Sequence, residues 1–300
     1  MIDELLASFD GAFSDNTVRA YRSDWMHYES WCNTNNLEPM PATAENLATY
    51  IKDMATTLKS STIRRRIDSL SSIFSLSKNP NPTHEPEVLL ALKRMHREIG
   101  RAQKQAEPLT REYMDKMKTR CNSSARGLRD KLILQLGYET MRRRAELCRL
   151  RLEDVRKMPK GKYALMLRFS KTDQYGEGTW IPISETLYRL IERWKERIGQ
   201  EEGCILRSVG KDGTVGERLT PGSIIPILVD LQHRARLRAL PRFSGHSLRV
   251  GAALDLLDKG VPLEKSCSAG AGVPKAQRSG TSVPGPERAL MFTRRMSVLK

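Results

Sequence analysis

LILQLGYETMRRRAELCRLRLEDV, residues 132–155, sets the character of this chain. Its opening run carries apolar side chains at helical spacing and predicts a helix over about 125–140. Three consecutive arginines, Arg142, Arg143 and Arg144, close that run, and a shorter helix is expected over about 143–150. Beyond it the period changes. YALMLRF (residues 163–169) and TWIPI (residues 179–183) read as short strands on either side of the polar turn KTDQYGEG, residues 171–178. Helical periodicity resumes at about 184–198, 220–237 and 246–258. The expected fold class is mainly α with a small antiparallel β-sheet.

Working toward the N-terminus, the polar stretch GRAQKQAEP (residues 100–108) loses all periodicity and reads as a linker. Thr110 beyond it is placed to cap the next helix. Before the linker the chain is helical. Ser14 caps a helix on which Val18, Tyr21, Trp25, Tyr28 and Cys32 fall about one turn apart, a stripe that suits a core. A second helix runs from Ala44 to about Thr57 with Leu47, Ile51 and Met54 on one face. A third starts at Ser60 and buries Ile63, Ile67, Leu70 and Phe74, with Arg64, Arg65 and Arg66 on its outer face. Alone, that arginine run reads as a solvated face. The prolines of KNPNPTHEP (residues 78–86) make a loop, and a fourth helix follows to Ile99. Three segments result: a helical domain over 1–105, a mixed domain over 106–265, and a Gly-, Ser- and Pro-rich tail over 266–300 that is expected to be disordered.

Composition narrows the partners. Of 300 residues, 51 are Lys or Arg and 35 are Asp or Glu, a formal net charge of +16 that favours a polyanion. No run reaches the roughly 18 apolar residues of a membrane span, so no membrane partner is expected. The acidic start MIDELLASFDGAFSDN lacks the features of a signal peptide. Cys32, Cys121, Cys148, Cys204 and Cys267 are scattered and never in CxxC spacing, which disfavours a disulfide scaffold or a zinc ribbon; a reducing cytoplasm is expected.

Three features could do chemistry. Arg142, Arg143 and Arg144 beside an apolar helix suit phosphate, because a guanidinium presents a rigid fork of donors; a basic surface turn would look the same. Lys171 lies in the strand–turn–strand, where most lysines are solvated. In GHSLR (residues 245–249), His246 and Arg249 lie three apart and share one helix face. A histidine there can donate to a phosphate or move a proton near neutral pH.

Taken in this order, the three features resemble the tyrosine recombinase, or phage integrase, family, most closely its Cre-like members. The likeness spans about residues 14–265. RRAELCRLRLEDV (residues 143–155) is similar to the family's Arg-x-x-Glu-Leu box followed by Leu-x-x-x-Asp. SGHSLRVGAA (residues 244–253) is similar to its His-x-x-Arg box, and RFSKTD (residues 168–173) falls on the hairpin that carries its lysine. The resemblance implies a helical core-binding domain followed by an α+β catalytic domain. It implies that Arg143 and Arg249 clamp a scissile phosphate, that His246 hydrogen-bonds it, that Lys171 protonates the leaving 5′ oxygen, and that Glu146 orients the arginines. Arg64, Arg65, Arg66, Arg142 and Arg144 become expected DNA contacts. The partner implied is double-stranded DNA in the cytoplasm or nucleoid, bound by a homo-oligomer. The reaction implied is transesterification through a 3′-phosphotyrosine, with neither ATP, metal nor other cofactor.

The nucleophile departs from the pattern. All eight tyrosines lie at or before Tyr188, and none follows His246; the last tryptophan is Trp194, so the family's Gly-Gly-Trp element is missing too. Both gaps fall after Lys265. A one-nucleotide shift of frame there permits Ile-Met-Leu-Arg-Gly-Gly-Trp followed by Leu-Arg-Tyr-Leu, which points to a frameshift. The chain as written is then expected to be inactive in cleavage. The alternative is a cleavage-deficient DNA-binding protein that occupies or competes for recombination sites.

Overall fold

In the computed structural model, residues 2–9, 11–102, 105–169 and 178–261 are described. Lys171, Cys267 and the tail therefore lie outside the described residues. The chain divides into two compact units between Gln105 and Ala106.

The first unit is helical: α1 (Ile2–Ala7), α2 (Asp15–Thr34), α3 (Ala44–Ala55), α4 (Ser60–Leu76) and α5 (Pro86–Ile99). Local chemistry sets the starts. Ser14 and Thr43 accept from the amides of Thr17 and Asn46, satisfying donors that the first helical turn leaves free. Pro86 opens α5, where its missing N–H costs nothing. The expected stripes meet in one core, with Tyr28, Cys32, Leu47, Ile51, Ile63 and Phe74 buried completely.

The arginine run of α4 does not form one outer face. Arg64 is exposed and pairs with Asp68 one turn on. Arg65 reaches the buried carboxylate of Asp24 on α2, and Arg66, with only 15% of its side chain exposed, turns inward toward the same group. The expectation of three solvated arginines is corrected here. A buried aspartate draws the nearby cations, because a carboxylate taken out of water must be compensated.

The second unit has α6 (Arg111–Lys118), α7 (Ala125–Thr140), α8 (Arg144–Leu147), β1 (Val155–Met158), β2 (Lys162–Leu167), β3 (Thr179–Ile183), α9 (Glu185–Ile198), α10 (Ile224–Arg234) and α11 (Ser247–Asp258). The sheet is antiparallel in the order β1-β2-β3, with Val155 opposite Leu165 and Leu165 opposite Ile181. Two strands were expected, and β1 is the third. Its sequence, VRKM, is exposed at three of four positions, so it carries no alternating signal. The short helix expected over 143–150 shrinks to the single turn of α8. Buried on nearly every side, α7 forms the centre of this core and packs against α9 and α11. Glu139 of α7 accepts from the Ser184 amide at 2.9 Å, tying the start of α9 to it.

Candidate active site

Met141 ends α7 in the left-handed region, with φ 49° and ψ 31°, although it is neither Gly nor Asn. This conformation costs a methionine about 1–2 kcal/mol. It breaks the helix sharply and sends the next three arginines along separate paths. Arg142 is buried, 3% exposed, with its Nε donating to the Thr140 carbonyl at 2.9 Å. The basic-surface-turn reading fails for this residue. Arg143 caps α8 and is tied to Glu146 twice. Its amide donates to Oε2 and its Nη1 to Oε1, both at 3.0 Å. Glu146 is itself buried. The acceptor of the capping box thus also fixes the direction of a guanidinium.

The His-x-x-Arg segment arrives from the other end of the unit. His246 caps α11 and is exposed, and Arg249 follows one turn later. Ser244 and Ser247 brace the entry, the Ser244 amide donating to the Ser247 Oγ at 2.8 Å. The two boxes touch at Gly245. A Cβ built there would stand 2.2 Å from Cδ of Arg144, so only glycine lets that side chain lie across the start of α11. Deeper in the packing, Gly137 of α7 admits the Leu248 side chain in the same way.

The electrostatics follow from this closeness. Burial pushes the Arg249 guanidinium below its ordinary pKa, and the charge of Arg143 pushes it further, while Glu146 opposes them. Arg142 is lowered mainly by burial, with Arg249 and Arg143 adding to it. The site is a group of three arginines with one carboxylate, in which Arg142 and Glu146 are buried and Arg143 and Arg249 stay partly exposed. The Nη1 of Arg249 is buried and has no hydrogen-bond partner among the described residues. A donor left unsatisfied costs about 1–3 kcal/mol, and an anion entering the cluster would supply its acceptor. No group of His, Cys, Asp and Glu suited to a metal ion is present among the described residues.

Arg142, Arg143, Glu146 and Arg249 are therefore brought into one electrostatic group; Arg144 lies against Gly245, and His246 stands exposed at the start of α11. Lys171 cannot be placed, because it lies outside the described residues. Arg64, Arg65 and Arg66 belong to the first unit. Sequence reasoning missed one feature near the lysine turn. Arg168, at the end of β2, forms a two-pronged ion pair with Asp154, with Nε to Oδ2 and Nη2 to Oδ1 both at 2.8 Å. In the sequence Asp154 belongs only to a motif, and nothing in local spacing pairs positions 14 apart at the ends of two strands.

Comparison with known proteins places these features in a group. The model of the phage integrase family matches residues 107–266. An integrase/recombinase XerD homologue of Selenomonas ruminantium is 29% identical, covering 80% of this chain and 73% of the relative. The Cre recombinase of Escherichia phage P1 is 26% identical, over 86% of this chain and 81% of the relative. Among solved structures, the XerH site-specific recombinase bound to palindromic difH substrate has a TM-score of 0.62 at 16% identity, covering 86% of this chain and 73% of that one. A lambda integrase dimer bound to a core site has a TM-score of 0.57 at 16% identity, over 94% of this chain and 99% of that one. Those two likenesses concern the fold.

Proposed function

The chain belongs to the phage integrase family, whose model covers more than half of it, and from that premise we propose that it binds double-stranded DNA as a tyrosine recombinase whose cleavage step is disabled. The observation that carries this is the cluster of Arg143, Glu146 and Arg249, with a buried and unpartnered Nη1 on Arg249. A DNA phosphate satisfies that donor, and its charge relieves the repulsion among the arginines. In strand transfer, charge grows on the phosphate oxygens as a fifth bond forms. Preset donors aimed at that charge favour that state over the ground state. Glu146 holds Arg143 in place without neutralising the group. His246, exposed at the start of α11, donates to the same phosphate, and Lys171 is assigned the proton for the leaving 5′ oxygen. The two domains take the roles of core-binding unit (1–105) and catalytic unit (106–265), and oligomers assemble on DNA.

The nucleophile is what the chain lacks. No tyrosine lies between His246 and Lys300, so that stretch offers no phenol to hold the DNA 3′ end. A one-nucleotide frame shift near Lys265 accounts for both missing elements. The decisive assay starts from a duplex site selected out of a randomised pool and nicked to trap the covalent intermediate. The unaltered chain should bind and give no protein–DNA adduct on a denaturing gel, whereas the frame-restored chain should give one. An adduct from the unaltered chain refutes the disabled reading. The second reading, a DNA-binding protein that competes for recombination sites, is favoured by the same missing tyrosine. It gains if the chain blocks recombination by an intact relative when the two are mixed.

A further inference from the structure

Asp24 is an anomaly in the helical unit. It sits on α2 with 1% exposure, beside a core of aromatic and aliphatic side chains. Burying a carboxylate costs several kcal/mol unless cations and donors surround it. Three groups do so, and all come from α4. The Ser69 Oγ donates to Oδ2 at 2.7 Å, Arg65 Nη1 reaches the same oxygen, and Arg66 Nε lies 3.7 Å from Oδ1.

The two arginines are held differently. Arg66 keeps only 15% of its side chain exposed and leans on the Met54 sulfur of α3, so it is a core partner. Arg65 keeps half of its side chain exposed while one donor is pinned from below. A guanidinium has five N–H donors. One is committed to Asp24, which anchors that end of the fork, while half of the side chain stays open to solvent. Arg64, its neighbour, is exposed and paired only one turn along its own helix.

We propose that Asp24 is a positioning residue for DNA recognition: its buried charge fixes the Arg65 guanidinium so that the exposed donors meet the duplex in one orientation. This rests on the DNA-binding reading above. It predicts an effect on discrimination. Free arginines attract any phosphate, whereas a fixed fork reads base edges or a defined phosphate position. Removing the Asp24 charge leaves Arg65 in place but frees its direction. General attraction to DNA then persists, and sequence preference is lost.

The test uses the full chain and a pool of duplexes with a randomised central segment. Wild type, Asp24→Asn, Arg65→Ala and the double variant are each carried through binding selection, and the enrichment at each position is read by sequencing. Wild type should enrich a defined sequence. Arg65→Ala should lose enrichment at particular positions, at least fivefold. Asp24→Asn should lose it at the same positions while its affinity for an unselected duplex stays within twofold. The double variant should look like Arg65→Ala alone. If Arg65→Ala selects the wild-type sequence, or wild type selects none, the DNA reading of this helix fails and the proposal falls with it. If Arg65→Ala loses the positions and Asp24→Asn keeps them, or if the two losses add, Arg65 contacts DNA without help from Asp24, and only the proposal is overturned. Should Asp24→Asn unfold because Arg66 is left buried without a counter-charge, the comparison is repeated on an Arg66→Met background.

Discussion

Arg249 shows how a residue can be costly to the fold and necessary to the site. Its Nη1 is buried without an acceptor among the described residues, beside the charge of Arg143. Arg249→Met keeps an unbranched apolar stem and removes that donor. The variant should gain about 1 kcal/mol of stability and should bind a selected duplex far more weakly. Urea denaturation and an anisotropy titration measure the two effects on one sample. Glu146 predicts the opposite. Glu146→Ala leaves Arg142, Arg143 and Arg249 without their common carboxylate, and the loss should be about 3 kcal/mol, read from the urea midpoint. The buried thiols provide a pH test. Burial pushes Cys121 and Cys148 up to about 11 from an ordinary 9.0. In the unfolded chain they ionise first. Their contribution to stability is therefore whole below pH 9 and is lost as pH rises through about 11. Both thiols should resist alkylation at pH 8 until the chain unfolds.

At the scale of elements, α11 depends on closeness that larger side chains forbid. A Cβ on Gly251 would stand 2.0 Å from the Leu109 carbonyl oxygen, and the Leu109 amide donates to the Ser247 carbonyl at 2.9 Å. Alanine normally stabilises a helix interior by about 1 kcal/mol relative to glycine. Here the clash is with backbone, which cannot swing aside. Gly251→Ala should therefore lower the melting temperature, and a rise would show that α11 can shift away from residues 109–110. The start of α2 was readable because capping is local, Ser14 accepting from an amide three residues on, whereas Thr110, expected to cap in the same way, stands before α6 with no side-chain cap bond. β1 escaped notice because an edge strand with three exposed residues has no apolar face to alternate. The Asp154–Arg168 pair escaped because only the register of β1 against β2 brings those positions near.

For the whole molecule, two cores lie on either side of residue 105, one around Tyr28 and Phe74 and the other around α7. Brief trypsin treatment is expected to cut within residues 100–108 and to leave a resistant fragment from each unit. Binding to duplex DNA should weaken with salt by about 0.9 log units per log unit for each phosphate neutralised. A flat salt response would rule out a phosphate-bound partner for a chain of charge +16. The sequence by itself determined the fold class; it also put forward a division near residue 105 and, through the family motifs, Arg143, Glu146, His246 and Arg249 as candidates, and it has no tyrosine after His246. Each of these is written in local spacing, in composition or in a motif. Only the tertiary structure decided that Arg142 is buried, that Glu146 holds Arg143 from two sides, that Arg249 keeps an unsatisfied donor, and that Asp24 gathers Arg65 and Arg66. Burial and pairing are set by what other elements bring near. A run of arginines reads alike whether its members face water, phosphate or a buried carboxylate.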